Sequence, residues 1–266
     1  MGTRSAQLVQ SGTLLLAGLM MCVATDAAAQ TAWTLDRGYV NINRVSQSGD
    51  NRFTQALTET IYDEQATYDL THAFSGGGMF DVSAGVRLPL PSIWSNLAAG
   101  LAISTFNTTS SLELSGKVPN LLFYNRPRTL TPHTLQTDHR QTGVHVQLSW
   151  FVPVADKIDI AIFGGPSFFS VNHQLASGVT VDKAKDRLGG PLYETAPDVQ
   201  VLTREMSEKT TGGNVGIDVT YLFTDVIGAG FMLRWAGGSV DLTTANGSHS
   251  IDVGGLQVGF GARVRF

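Results

Sequence analysis

A serine hydroxyl beside a histidine is a possible nucleophile, and the chain offers that pairing at Ser170 with His173 and at Ser248-His249-Ser250. Acyl-chain hydrolysis or transfer would need the histidine within hydrogen-bond reach of the hydroxyl and an acid oriented behind it. Neither set shows a convincing acid. The six histidines are scattered without metal-ligand spacing, and the single cysteine is Cys22. No cofactor, metal centre, disulfide or thiolate nucleophile is therefore read from the chain. Gly76-Gly77-Gly78 matches no phosphate-binding pattern and reads as a hinge or bulge.

A second group is more suggestive. Asp81, Arg87, His145, Asp159, Asp218, Arg234, Arg263 and Arg265 each fall on the polar phase of a segment whose alternate residues are apolar. Successive side chains on a strand point to opposite faces, so these groups would share one enclosed side. Charges inside a narrow barrel must pair or stay hydrated, because an isolated buried charge is very costly. Three uses stay open: an ion-pair plug, a narrow gated pore, and a ligand or proton-linked site. A plug would bring Arg234 and Arg263 within reach of Asp81, Asp159 or Asp218.

The elements that position these groups are strands. Period-2 alternation marks eight segments: 37–47, 79–90, from Leu97, 143–152, from Ile158, 214–223, 227–235 and 256–266. In the last, Leu256, Val258, Phe260, Ala262, Val264 and Phe266 oppose Gln257, Gly259, Gly261, Arg263 and Arg265. Gly164-Gly165-Pro166 predicts a bulge in the fifth segment, and Gly254-Gly255 predicts a one-residue slip of phase before the eighth.

Short connections (89–96, 153–157, 223–226) alternate with long polar ones (48–78, 116–138, 177–211) and a short fourth (243–249). In a closed antiparallel barrel that puts the long connections at one rim, as in outer-membrane barrels. Lys117, Lys157, Lys183, Lys185 and Lys209 all fall in expected loops or turns. A soluble barrel would spread lysine along its outward strand faces. Trp94, Trp150, Tyr221, Phe223 and Phe266 near the short turns, with Trp235 about ten residues away, form the double aromatic girdle of a bilayer-spanning wall.

The N-terminus has the form of a secretory signal: Arg4, an apolar stretch from Thr13 to Ala24, and an A-x-A site at Asp26-Ala27-Ala28-Ala29. The expected division is a signal peptide over 1–29 and a barrel domain over 30–266. No later segment has eighteen consecutive apolar residues, so no transmembrane helix is expected. The net charge of −4 argues against a nucleic-acid partner.

With its strand-loop rhythm and terminal Phe266, the chain resembles the small eight-stranded outer-membrane barrels of the OmpA transmembrane-domain type over residues 37–266. The resemblance implies an all-β fold: an eight-stranded antiparallel up-and-down transmembrane β-barrel. It also implies an assembly signal at Val258, Phe260, Ala262, Val264 and Phe266, read by the barrel-assembly machinery. The expected molecule is a monomer in the cell outer membrane, with outer-membrane lipid and lipopolysaccharide as surroundings. Its expected role is structural or surface-interacting through external loops. A narrow pore for small solutes and a lipid-modifying acyl hydrolase are the alternatives, and a soluble periplasmic barrel is the competing fold reading. Within 118–128, Leu122, Phe123 and Tyr124 are expected to cover the upper rim, or Arg126 and Arg128 to hold lipopolysaccharide phosphates.

Overall fold

Branched and aromatic residues at every second position favour pleated strands packed on one face, and this periodicity builds the molecule. The structure is a computed structural model that describes residues 38–90, 95–182, 198–244 and 247–266; the side chains of 242–249 also lie outside the description. The expected signal segment 1–29, Trp94, Lys183 and Lys185 fall outside the described residues.

The strands in chain order are β1 Gly38–Gln47, β2 Asn51–Ile61, β3 Glu64–Phe74, β4 Gly77–Arg87, β5 Leu97–Val118, β6 Arg128–Thr129, β7 His133–Ala155, β8 Ile158–Val181, β9 Val199–Leu222, β10 Ile227–Thr244 and β11 Gly247–Arg265. Eight of them close a ring of antiparallel ladders: β1, β4, β5, β7, β8, β9, β10, β11 and back to β1. Full closure leaves no free edge around this lower ring. The fold is an eight-stranded antiparallel up-and-down barrel.

The three expected long loops all contain strand residues. Residues 48–78 contain the hairpin β2–β3, closed by Tyr62 and Asp63 at φ 53° and 63°. Positive φ at both central residues is the two-residue turn whose twist matches a hairpin. β5 runs on to Val118 and β7 starts at His133, while β8 and β9 stay paired as far as Val181 and Val199. Lys117 and Lys209 consequently sit on strands, not in loops.

Sidedness inverts along these long strands. On β7 the outward residues are Val144, Val146, Leu148, Trp150 and Val152 in the lower half, then Thr134, Gln136, Asp138 and Arg140 above. On β5 Leu101 and Ile103 point out below, while above them Thr109, Ser111, Glu113 and Lys117 point out and Leu112 and Leu114 turn inward. The lower ring is therefore apolar outside and polar inside. The upper extension is polar outside around an apolar core of Leu57, Ile61, Tyr68, Leu70, Leu112, Leu114 and Val118.

Paired glycines mark the change of sidedness on four neighbouring strands: Gly164-Gly165, Gly212-Gly213, Gly237-Gly238 and Gly254-Gly255. A Cβ on Gly212 would collide with the Gly237 carbonyl, and Gly254 has φ +91°. Both positions therefore exclude a side chain. Neither glycine pair behaves as the sequence suggested. β8 keeps one register with β7 and β9 across Gly164-Gly165-Pro166, and the register shifts lie at Pro153/Ala155 and Ala176/Gly178. The β10–β11 register also continues unbroken through Gly254-Gly255. Odd positions face inward on both sides of the glycines, so apolar residues change from even to odd because the apolar side turns from outward to inward, not because the strand slips. Gly77 and Gly78 lie in register with Gln47 and Ser46, forming neither hinge nor bulge.

Candidate functional site

Inside the lower ring, alternation turns every second residue of each strand inward, and several of the polar ones meet on the barrel axis. β4 contributes Asp81 and β10 Arg234, whose Nη2 donates to Asp81 Oδ2 at 2.7 Å with neither side chain exposed. β9 contributes Asp218 and β11 Arg263, joined by two parallel hydrogen bonds through Nε and Nη2. Such bidentate geometry is the strongest form of a guanidinium–carboxylate pair.

Asn43 of β1 links the two pairs. Its Nδ2 donates to Asp81 Oδ1 at 3.2 Å, and its Oδ1 accepts from Arg263 Nη1 at 2.6 Å. Arg234 Nε donates to Gln257, whose amide in turn donates to Gln47. Thr220 Oγ1 donates to Asp218 and accepts from Arg265 Nη2 at 3.0 Å. Buried charges are tolerable when paired and when their remaining donors and acceptors are hydrogen-bonded, and this network meets most of that requirement.

The other expected charges line the lower rim. Arg265 bonds to Asn41 and lies over the rings of Tyr39 and Phe151, each centroid 5.5 Å from Cζ. Arg87 lies over Phe151 at 4.9 Å. Asp159 is half-buried on the inward phase and belongs to neither ion pair. A cavity of about 20 Å³ separates Arg234 and Asp81 from Tyr39 and Arg265, which is room for about one water.

His145 forms a separate polar knot. Its two ring nitrogens contact Ser104 Oγ at 2.9 Å and Ser167 Oγ at 2.8 Å, and Asn214 Nδ2 donates to Ser167. The hydroxyl–imidazole contacts look nucleophilic, but both serines are buried and His145 is fully enclosed. Among the described residues no carboxylate hydrogen-bonds to His145. A hydrolase triad needs an accessible hydroxyl and an oriented acid, and neither condition is met.

The Ser170–His173 set fails for a simpler reason. Residues three apart on one strand face opposite sides; His173 is buried inward and Ser170 points out. Ser248 and His249 lie outside the residues whose side chains are described.

In the connection after β5, Asn120 Oδ1 accepts from the backbone nitrogens of Leu122 and Phe123. This turn presents Leu122, Phe123 and Tyr124 outward, Tyr124 at 80% exposure, so they do not cover the upper rim. Arg128 is buried and donates to the Pro119 carbonyl, which removes it from the expected phosphate grip. Arg126 remains exposed.

Sequence reasoning missed one constellation. His72 of β3, His139 of β7 and His173 of β8 pack together just above the lower ring, with His173 centroids 5.7 Å from His72 and 5.5 Å from His139. Phe53 stacks on His72 at 4.6 Å, and Phe74 meets His173 at 4.5 Å. Among the described residues no group of three or more ligand-type side chains is arranged to hold a metal. Only His72 comes from a segment read as a loop, and strand registers bring the three together, so spacing alone carried no signal.

Fold and site together define the class: an eight-stranded antiparallel barrel with an apolar outer belt and an ion-paired, filled interior. No family model matches the chain, and no curated protein matches its sequence. It is similar to Neisserial surface protein A at 11% identity, covering 86% of this chain and 97% of that one, with a TM-score of 0.39. It is also similar to the N-terminal β-barrel domain of Pseudomonas aeruginosa OprF at 10% identity, covering 86% and 97%, with a TM-score of 0.33. A third similarity is to Ail, the attachment invasion locus protein of Yersinia pestis, at 7% identity, covering 85% and 96%, with a TM-score of 0.33.

Proposed function

We propose that the chain is an outer-membrane β-barrel protein of a Gram-negative cell, monomeric and non-enzymatic. Its lower ring anchors in lipid with a plugged interior, and its upper extension meets the environment. The observation that carries this is the inversion of sidedness along single strands. An apolar belt at Leu148, Val219, Leu233 and Val258 faces outward below the glycines, where contact with hydrocarbon is favourable. Above them Thr109, Glu113, Asp138 and Lys209 face outward, as in a barrel standing in water. A soluble barrel has no use for the belt.

Lipopolysaccharide is the proposed neighbour around the upper part of the belt, and the barrel-assembly machinery the proposed reader of Val258 to Phe266. The exposed Leu122, Phe123 and Tyr124 suit a surface-interaction role.

A narrow pore is the second reading. It is favoured by the small cavity and by Arg234 Nη1, a buried donor with no hydrogen-bond partner among the described residues.

Amine-reactive, membrane-impermeant labelling of intact cells tests the proposal. Lys117 and Lys209 on the upper extension should react, while Lys157 in a short turn should react only after the cells are broken. Labelling of Lys157 in intact cells, or recovery of the protein in the soluble fraction, contradicts it. Planar-bilayer recording separates the two readings: a plugged barrel gives no steady conductance at neutral pH.

A further inference from the structure

The β10–β11 hairpin changes its support at the glycine level. Below it, β10 is laddered to β9 as far as Gly237 and Gly213, and β11 is laddered to β1 as far as Gln257 and Gln47. Above it, the arms 238–241 and 250–253 pair only with each other among the described residues. Each arm is tied to its flank by a single side-chain bond: Thr210 Oγ1 to the Ser239 carbonyl at 2.6 Å, and Asn51 Nδ2 to the Asp252 carbonyl at 2.7 Å. The arms start at Gly237-Gly238 and Gly254-Gly255, which face each other across the ladder. Left-handed backbone at Gly254 and Gly255 lets the hairpin turn sharply there.

What the arms cover is apolar and histidine-lined. Val240, Ile251 and Val253 rest on Val171 and Leu175 of β8 and on Phe53 of β2. His173 lies between Val171 and Leu175 on the same inward face, and Phe53 stacks on His72. Gln141, one inward position from His139 on β7, accepts a hydrogen bond from the Gly254 nitrogen.

We infer that these two arms form a cover hinged on the facing glycine pairs, closed at neutral pH over the His72, His139 and His173 cluster and released by acid.

Burial holds two of these histidines neutral: His139 is pushed down to about 4, and His173 to about 3 by burial and by its two histidine neighbours. An opened, hydrated imidazole titrates near 6.5. Below that pH the open form takes up protons that the closed form refuses, so acid favours opening. For His139 alone, the bias grows about tenfold per pH unit below 6.5, reaches about 150-fold at pH 4 and levels off near 300-fold in stronger acid.

The surroundings offer little to offset such charge. β2 presents Phe53 and Gln55, and β5 presents Phe106. On β7 the inward neighbours are Gln141 and, lower, His145. Glu208 and Arg204 flank Met206 on the facing stretch of β9, one of each sign. On the outer face, Asp138 contributes only its backbone to His173. Arg52 and Glu113 pair with each other, and Asp241 and Asp252 on the arms point outward.

Amide hydrogen exchange on the folded full barrel in micelles, expressed as protection factors at pH 7 and pH 4, tests this. Val240, Ile251 and Val253 should lose about 100-fold or more of their protection at pH 4, while Phe231 and Val258 in the belt keep theirs. The double variant His139→Phe, His173→Phe should stay protected at both pH values. Unchanged protection in the native chain overturns the hinged cover. Equal opening in the histidine variant transfers the acid response to Glu208 or Asp138 and overturns the histidine role. Simultaneous loss in arms and belt is global unfolding and overturns both. None of these outcomes depends on whether the belt faces lipid, which lysine labelling reports separately.

Discussion

Asp81 and Arg234 stand 153 positions apart in the chain and meet at 2.7 Å in the middle of the barrel, neither reached by solvent. β4 and β10 are not neighbours in the ring, so this pair spans the lumen and fixes two walls relative to each other. Asp81→Asn should therefore destabilise the fold by about 3–5 kcal/mol, because it leaves the Arg234 guanidinium buried without its counter-charge. Asp81→Asn combined with Arg234→Met should recover most of that loss. Denaturant unfolding in micelles checks both; a single-variant cost below about 1 kcal/mol would show that the pair is hydrated.

Asn43 makes the two ion pairs one unit, since each of its amide atoms serves a different pair. A double-mutant cycle between Asp81→Asn and Asp218→Asn should give a coupling of about 0.5–3 kcal/mol, in the range seen for residues sharing a network. The same cycle in an Asn43→Ala background should give a coupling near zero.

The sign of the pH response follows from His139. Its imidazole titrates at about 4 in the folded chain and near 6.5 when exposed. Its contribution is fully present above about pH 6.5 and lost progressively as the pH falls toward 4, by about 3 kcal/mol in all. Stability of the upper extension measured between pH 7 and pH 4 should show that loss. In His139→Phe this part of the slope should vanish.

Outward positions on β7 should differ in what they tolerate. Leu148→Arg places a cation in the belt and should cost about 2–4 kcal/mol. Gln136→Arg, on the same face above the belt, should be within about 0.5 kcal/mol of neutral. Parallel unfolding measurements in lipid vesicles compare them directly.

Backbone crowding at the glycine level gives another contrast. Gly212→Ala drives a methyl into the Gly237 carbonyl, whereas a Cβ on Gly178 meets only the end of Leu202 at 3.8 Å. Gly212→Ala should reduce the folded yield or stability by about 1–3 kcal/mol, and Gly178→Ala should not.

The lower ring was legible because one rule operates there: apolar residues at every second position, with charges on the opposite phase. That rule located all eight ring strands and the inward phase on which Asp81, Asp218, Arg234 and Arg263 meet. It failed above the glycines for a physical reason. There Leu112, Leu114, Ile251 and Val253 turn inward and Thr, Ser and charged residues turn out, so the apolar phase reverses and the outward face reads as loop. Asn43, Gln257 and Thr220 escaped notice because an uncharged polar residue on a strand announces no partner. The histidine cluster escaped because its members are brought together by registers that spacing does not encode. Ser170 and His173 looked like a pair only while their segment was read without its two faces.

The inversion of sidedness is tested most directly by nitroxide labels placed one at a time on the outward face of β7, from Thr134 to Val152, in lipid vesicles. Labels at 144, 146, 148 and 150 should collide with oxygen dissolved in the bilayer and be shielded from a water-soluble nickel complex. Labels at 134, 136, 138 and 140 should show the reverse. Nickel accessibility that runs evenly along the strand, with no change between 140 and 144, would contradict the membrane belt.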